Sequence, residues 1–454
     1  MSGMILPVMP TPPKHIRQTS YTIPMDASRE PLSDTELAYG RFVPRQFLHL
    51  LGHNDIRNVE LGQQVECKMT VLFSDLRDFT ALSESMSPQE NLNLLNSYLM
   101  QMEPVIAAHG GFIDKYIGDA IMALFPDSPD QAVRGAMAML NKLDEYNAGR
   151  QRAGYRPVKI GIGINTGIVI IGTIGGKGRM DGTVIGDAVN LAARLEQLTK
   201  DYDVPLLISE YTLYSLENAA PYSIRFLDRT HVRGKQDAQS VYEVFDADPP
   251  PLRIAKRENL VLFEHALACY HLDDIAAAST LLERTLEMIP DDAAARVYLE
   301  RCKQRTSGTK VPSFTITKQW LVDYEIGVTE IDRAHQELLQ NMNSLGAAVL
   351  AGTSALTPAL LDQLELAATT VFNAEESLMI TRGYSFTSLH TRQHQRFFEY
   401  FLELRREIES GNEEPLYLTF RVKRLLSDWL ANHMVTADRH FGQFLRGRTS
   451  PRKP

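Results

Sequence analysis

The stretch Cys67–Pro126, CKMTVLFSDLRDFTALSESMSPQENLNLLNSYLMQMEPVIAAHGGFIDKYIGDAIMALFP, constrains the chain more than any other. An apolar run, Met69–Ser74, has the length of a strand and delivers Asp75 at its end. Helical periodicity follows through Glu90–Ala108, and a Gly110-Gly111 turn leads into a second strand, Phe112–Tyr116. That strand ends in Gly118-Asp119, and a third apolar run, Ala120–Phe125, follows at once. Two aspartates therefore stand at the mouths of adjacent strands. Carboxylate oxygens so placed suit Mg²⁺ beside a triphosphate, because a hard cation keeps several waters and leans on phosphate oxygens.

The alternation continues to Phe245, and the pattern is α/β. The expected strands beyond Phe125 are Val158–Asn165, Ile168–Ile174, Pro205–Ile208, Ile224–Val232 and Ser240–Phe245. An Asn165-Thr166-Gly167 turn is expected to part the first two. The expected helices are Pro88–His109, Pro129–Gln151, Gly186–Thr199 and Glu210–Ser215. No apolar run reaches the roughly 18–20 residues that a membrane helix needs. The formal charge of −9, with no long Lys/Arg block, argues against general nucleic-acid binding. Three cysteines without CxxC spacing, and an N-terminus without an apolar signal core, are what a cytoplasmic protein is expected to carry.

Three motifs in order, FSDLRDFT, DKYIGDA and TVIGDAVNLAARLE, resemble the class III nucleotidyl cyclases over roughly Arg41–Phe245. The resemblance implies a ferredoxin-like βαββαβ core in an α+β domain that turns ATP into 3′,5′-cyclic AMP and pyrophosphate. It implies two Mg²⁺ or Mn²⁺ ions per active site on Asp75 and Asp119. Backbone groups around Leu76–Thr80, Phe79 and Thr80 among them, are implied to cradle phosphates. Asn190 and Arg194 share one helix face; by resemblance Asn190 positions the ribose and Arg194 stabilises the pentavalent phosphorus. Lys235 in HVRGKQ matches a triphosphate-binding lysine. Lys115 and Thr183 match the base-reading pair: a lysine donates to adenine N1 and a threonine oxygen accepts from the 6-amino group. Guanylate cyclases typically carry an acidic residue and a cysteine there. Because the metal and base-reading sets come from opposite subunits in this family, a homodimer with two composite sites is implied.

Beyond the linker Ala247–Leu252, the stretch Lys256–Arg305 looks like one degenerate tetratricopeptide-type helical hairpin. A lone repeat cannot bury its apolar face and must pack on a neighbour or a second subunit. After a second linker, Thr306–Pro312, four amphipathic segments near Glu330–Ala351, Thr357–Ile380, His390–Ser410 and Glu414–Gly447 point to an all-α four-helix bundle. His335, Glu375, His390, His394, His433 and Asp438, with Trp320 and the GYSF run at Gly383–Phe386, resemble bacterial hemerythrin. That resemblance implies a non-haem di-iron centre bridged by Glu375 and Asp438 and open to O₂ or NO. One position departs from the family pattern. Val371 stands where a histidine is expected four residues before the bridging glutamate. One iron would then keep three histidines and the other only His335, so di-iron, mono-iron and metal-free states all stay open.

The expected organisation is a flexible arm over 1–37, a cyclase domain with a lead-in helix over 38–246, and a linker with the helical hairpin over 247–312. The hemerythrin-like bundle follows over 313–447 and a tail over 448–454. The alternatives are a guanylate cyclase, or a non-catalytic protein that binds nucleotide or iron.

Overall fold

The computed structural model describes residues 39–40, 42–176, 178–231, 238–306, 317–353 and 357–448. A short helix α1 (Arg45–Leu50) precedes strand β1 (Gln64–Leu76), then come α2 (Phe79–Glu84), α3 (Pro88–Ala108), β2 (Phe112–Ile117), β3 (Ala120–Phe125) and α4 (Pro129–Arg152). Next are β4 (Ile160–Gly176), β5 (Arg179–Ile185), α5 (Asp187–Tyr202), β6 (Leu206–Ser209), α6 (Glu210–Ser215), β7 (Ile224–His231) and β8 (Ala238–Val244). The strands form one mixed sheet in the order β2-β3-β1-β4-β6-β8-β7, with β5 added as an arm on β4. Strand β1 is central and antiparallel to both neighbours.

The turn expected at Asn165-Thr166-Gly167 does not form. Strand β4 runs unbroken from Ile160 to Gly176 and pairs with β1 over Ile160–Gly172, Asn165 facing Val71. The Asn165 amide is drawn inward instead: its Nδ2 donates to Ala188 O (2.9 Å) and its Oδ1 accepts from Ser209 Oγ (2.6 Å). An asparagine favours a turn when its amide bonds its own backbone, and here distant partners take that amide instead. The reversal comes later, between β4 and β5, a strand not foreseen in the sequence.

Helix α3 starts at a capping box. Ser87 Oγ accepts from Glu90 N (3.3 Å), and the Glu90 carboxylate accepts from Ser87 N (2.8 Å). The helix then lays Leu94, Tyr98, Met102 and Ile106 on the sheet. Gly163 lets α5 lie directly on β4, since a Cβ there would strike the backbone of Glu196.

The tetratricopeptide-like region comprises four helices, α7 (Pro250–Glu258), α8 (Leu260–His271), α9 (Ile275–Met288) and α10 (Ala293–Thr306). Its neighbour is the sheet domain of the same chain. Tyr298 donates to Leu227 O (2.8 Å), and Arg301 sits 4.6 Å over the Tyr202 ring at the end of α5. The join is ionic at its centre. Arg225 of β7, 2% exposed, donates to Glu243 (2.6 Å) and in fork fashion to Asp292 (2.6 and 2.8 Å). Lys256 adds a bond to Glu243 (2.7 Å). Arg225→Met would leave Glu243 and Asp292 buried without their shared cation. It should cost about 3–5 kcal/mol in chemical denaturation; a loss below 1 kcal/mol would mean the carboxylates find water.

The helical C-terminal region holds α11 (Thr329–Leu350), α12 (Thr357–Arg382) and α13 (Thr387–Ser410). A last continuous run follows: α14 (Pro415–Val422), a π turn Lys423–Asp428, α15 (Trp429–His433), a second π turn Met434–Asp438, and α16 (Arg439–Arg448). This region docks on the sheet domain. Arg396 donates to Leu216 O (2.8 Å) and Glu217 O (3.0 Å), Asn432 to Glu210 (2.5 Å), and Arg229 pairs with Asp428 (2.8 Å). Among the described residues no helix is long and apolar enough to cross a membrane.

Candidate active site and buried histidine cluster

Asp75 ends β1, and Asp119 lies in the β2–β3 turn, reached through Gly118 at φ +65°. Strands β1 and β3 are neighbours, so the turn brings the two carboxyls together. Their proximity is chemical: partial burial and the Asp75 charge push the Asp119 carboxyl up to about 6. An acid whose ionisation is opposed by a neighbouring carboxylate is relieved by a divalent cation shared with it. A third carboxyl, Glu196 of α5, is pushed up to about 7 by burial and by Asp75. Lys200 bonds Asp75 (2.9 Å) and lies 3.7 Å from Glu196. Neither Glu196 nor Lys200 was singled out in the sequence, although four-residue spacing on one helix could have paired them.

The other expected site residues fall on elements around this pair. Phe79, half-buried, and Thr80, exposed, open the six-residue helix α2, whose first turn follows Asp78 at φ +55°. Asn190 is exposed and Arg194 half-buried on α5. A helix rises about 1.5 Å per residue, so Asn190 lies roughly 15 Å and Arg194 roughly 9 Å along α5 from Lys200. Lys115 on β2 sits 3.3 Å from Asp114, and Thr183 on the β5 arm faces Gly172. Lys235 lies outside the described residues.

In the C-terminal region the six expected ligands converge. Glu375, His390, His394, His433 and Asp438 each offer a ligand atom within 4.8 Å of the others, all buried. His335 stands beside them, with Nε2 3.5 Å from Glu375 and 3.6 Å from Asp438. His390 and His394 meet because they are one α-turn apart. His433 and Asp438 are five apart, about 140° around an ideal α-helix. The π turn between them returns both to one face, a common use of such turns. Sequence spacing alone gave no sign of it. Val371 is buried one turn before Glu375 and offers no ligand.

The cluster's contacts are short but badly aligned for hydrogen bonding. His390 Nε2 lies 2.9 Å from Asp438, yet neither His390 Nε2 nor any carboxylate oxygen of Glu375 or Asp438 makes a hydrogen bond. Buried polar atoms normally find partners; here they aim at a common point. Burial drives His335 down to about 4 and lowers His390 and His433, which keeps imidazole lone pairs free. Burial and the Asp438 charge raise Glu375. Burial works against ionisation of Asp438, but the surrounding imidazoles, His433 first, hold it low. Outer partners fix two rings: Glu376 bonds His394 Nδ1 (2.8 Å) and Gln393 bonds His433 Nδ1 (2.8 Å). Such partners orient metal-binding imidazoles, and these two went unnoticed in the sequence although each adjoins an expected ligand. The donor set suits a transition metal.

Residues 62–244 match the family described as "Adenylate and Guanylate cyclase catalytic domain". The terminal-differentiation specific adenylate cyclase of Dictyostelium discoideum is 37% identical over 279 residues, 60% of this chain and 13% of that protein. An adenylate cyclase of Anabaena cylindrica is 44% identical over 219 residues, 47% of this chain and 44% of that protein. The chain thus spans less than half the length of these relatives. The solved adenylyl cyclase CyaB from P. aeruginosa is 35% identical, covering 40% of this chain and 96% of that one, at a TM-score of 0.35. Region 62–244 of this chain belongs to the adenylate and guanylate cyclase catalytic domain family.

Proposed function

We propose that the chain is an adenylate cyclase, converting ATP to cyclic AMP and pyrophosphate in a homodimer. The observation that carries this reading is the pairing of Asp75 and Asp119 at adjacent strand mouths, where burial and the Asp75 charge oppose ionisation of Asp119. The core strands lie in the order β4-β1-β3-β2, all antiparallel, which supports a ferredoxin-like core. Divalent metal held by the two aspartates would ease deprotonation of the ribose 3′-hydroxyl and neutralise the departing pyrophosphate. Arg194 would meet charge developing on the phosphoryl oxygens, and Asn190 would hold the ribose. Asn190 lies roughly 15 Å along α5 from Lys200, which supports a second copy completing each site. The β4–β5 arm leaves Ile170, Ile174, Met180 and Ile185 exposed, an apolar face fitted to that copy.

Lys115 and Thr183 are read as the adenine selectors. Lys115→Glu should lower kcat/KM for ATP about 100-fold, and Thr183→Cys added to it should shift preference toward GTP. Competition between ATP and GTP measures both. An unchanged ATP preference would remove these residues from base reading.

The C-terminal region is read as a hemerythrin-like four-helix bundle whose six ligands hold non-haem iron. Bound iron would supply a redox-active centre able to take O₂ or NO. With Val371 in place of a histidine, the convergence of five ligands favours one well-held ion over an equal pair. Its place in the molecule suggests control of the cyclase. A cavity of about 440 Å³ lies between the domains, lined by Asp187 and Leu191 of α5 on one side and by Tyr384 and His390 on the other.

A further inference from the structure

The acid pair of the cyclase domain already has a cation beside it. Lys200 Nζ is 2.9 Å from Asp75 Oδ2 and 3.7 Å from Glu196 Oε1. Its side chain is 44% exposed and flexible, whereas Asp75 is 21% and Glu196 8% exposed. Glu196 is seated in a recess. Asp75 pairs across the sheet with Gly161, where a Cβ would strike Thr199 Oγ1 and crowd Glu196 Oε1 at 3.2 Å and Arg77 Nε at 3.3 Å, so the glycine makes room for all three. Glu196 Oε1 is buried and makes no hydrogen bond. Arg77 is tied elsewhere, donating to Val204 O (2.9 Å), so it is a fixed charge. One ammonium thus lies between two carboxylates. One of them is exposed enough to take a metal, and the other is turned into the fold with a free oxygen.

An ammonium on Asp75 competes with a divalent cation for the same oxygens and repels it. It must leave when the metal arrives, and the carboxylate less than 4 Å from its present position can take it. We propose that Lys200 is a resident counter-ion of Asp75 which metal loading displaces, and that Glu196 is the acceptor to which it moves. Both are positioning residues: they set how much metal the cyclase needs rather than holding it. The inference rests on reading Asp75 and Asp119 as the metal pair. In the unloaded site, Lys200 keeps Asp75 from facing Asp119 as a bare anion. In the loaded site, Glu196 keeps Lys200 from facing the metal as a second bare cation.

The test is a Mn²⁺ titration of the full chain with a non-cyclisable ATP analogue, free Mn²⁺ being read by electron paramagnetic resonance. Asp75→Asn identifies the site as the binding it abolishes, apart from any Mn²⁺ held by the histidine cluster. The Lys200–Asp75 pair is partly exposed, so its effect is modest. Lys200→Met should lower the Kd of that site about threefold, and Glu196→Gln should raise it about threefold. In the Lys200→Met background, Glu196→Gln should have no further effect, because Glu196 acts only through Lys200. An unchanged or higher Kd in Lys200→Met overturns the proposal. So does an equal loss from Glu196→Gln in both backgrounds, which would make Glu196 a ligand. If Asp75→Asn abolishes no binding, the metal reading falls and the proposal falls with it. If Asp75→Asn does abolish it and Lys200→Met changes nothing, the proposal falls alone.

Discussion

Asp75→Ala and Arg194→Ala should each lower cyclic AMP formation by about 10³-fold, and mixing the two inactive proteins should recover about a quarter of the wild-type rate. The single losses follow from the separate tasks of the two residues. Asp75 sits with Asp119 where a metal would be held, and Arg194 is the guanidinium proposed to meet charge growing on the phosphoryl group. The recovery follows from symmetry. In a two-fold dimer each cleft would take its acids from one chain and its arginine from the other. Random re-pairing puts half of the dimers in the mixed form, and each mixed dimer has one intact cleft and one doubly broken one. Half of a half is the expected quarter. The measurement is the rate of cyclic AMP release after the variants have been allowed to exchange subunits. No recovery, with exchange verified, would place both residues in one chain's own cleft.

The cyclase domain could be read from its sequence because its elements obey local rules. The Gly110-Gly111 turn, the Ser87 capping box and the apolar run Ala120–Phe125 each form where the residues say they should. The error at Asn165–Gly167 had a nonlocal cause. Ser209 and Ala188, distant in sequence, satisfy the Asn165 amide, so a turn signal became part of a 17-residue strand. The π turn at Met434–Asp438 is a second case. Nothing in HMVTAD announces it, yet it brings His433 and Asp438 to one face. The acids at the strand mouths were legible because strands end where their apolar run ends. Lys200 and Glu196 were not, because their meaning depends on Gly161 lying opposite Asp75 and on α5 crossing β4 closely enough to fill that gap.

Helix α5 joins the two halves of the chain. Its first turn, at Asp187 and Leu191, lines the cavity that His390 also lines; its last turn carries Lys200 at Asp75; and Tyr202 at its end lies under Arg301 of the linker helices. A rigid rod with both ends so engaged transmits a small displacement with little loss. Under the proposed control of the cyclase, this helix would be the route by which a change in packing around His390 reaches Asp75.

Removing metal from the histidine cluster should lower the melting temperature by about 10 °C, and His394→Ala should lose the metal altogether. The reason lies in the burial of the six side chains. Glu375, Asp438 and His335 are fully buried, and His390, His394 and His433 are no more than 2% exposed. Two buried carboxylates whose oxygens make no hydrogen bond, packed among four imidazoles, are costly unless a cation organises them. A metal present at about a thousand times its Kd adds roughly 4 kcal/mol to the folded state. Glu375→Gln separates a metal centre from a metal-free core. In a metal-free core, burial and the Asp438 charge already disfavour the ionised Glu375 carboxyl, so a neutral amide of the same shape would cost little. In a metal centre the same change deletes an anionic ligand, and both metal content and melting temperature should fall. Elemental analysis and thermal unfolding of the purified full chain, before and after chelation, decide between the two. A protein that carries no metal, melts unchanged after chelation and tolerates Glu375→Gln would make the cluster a polar core and nothing more.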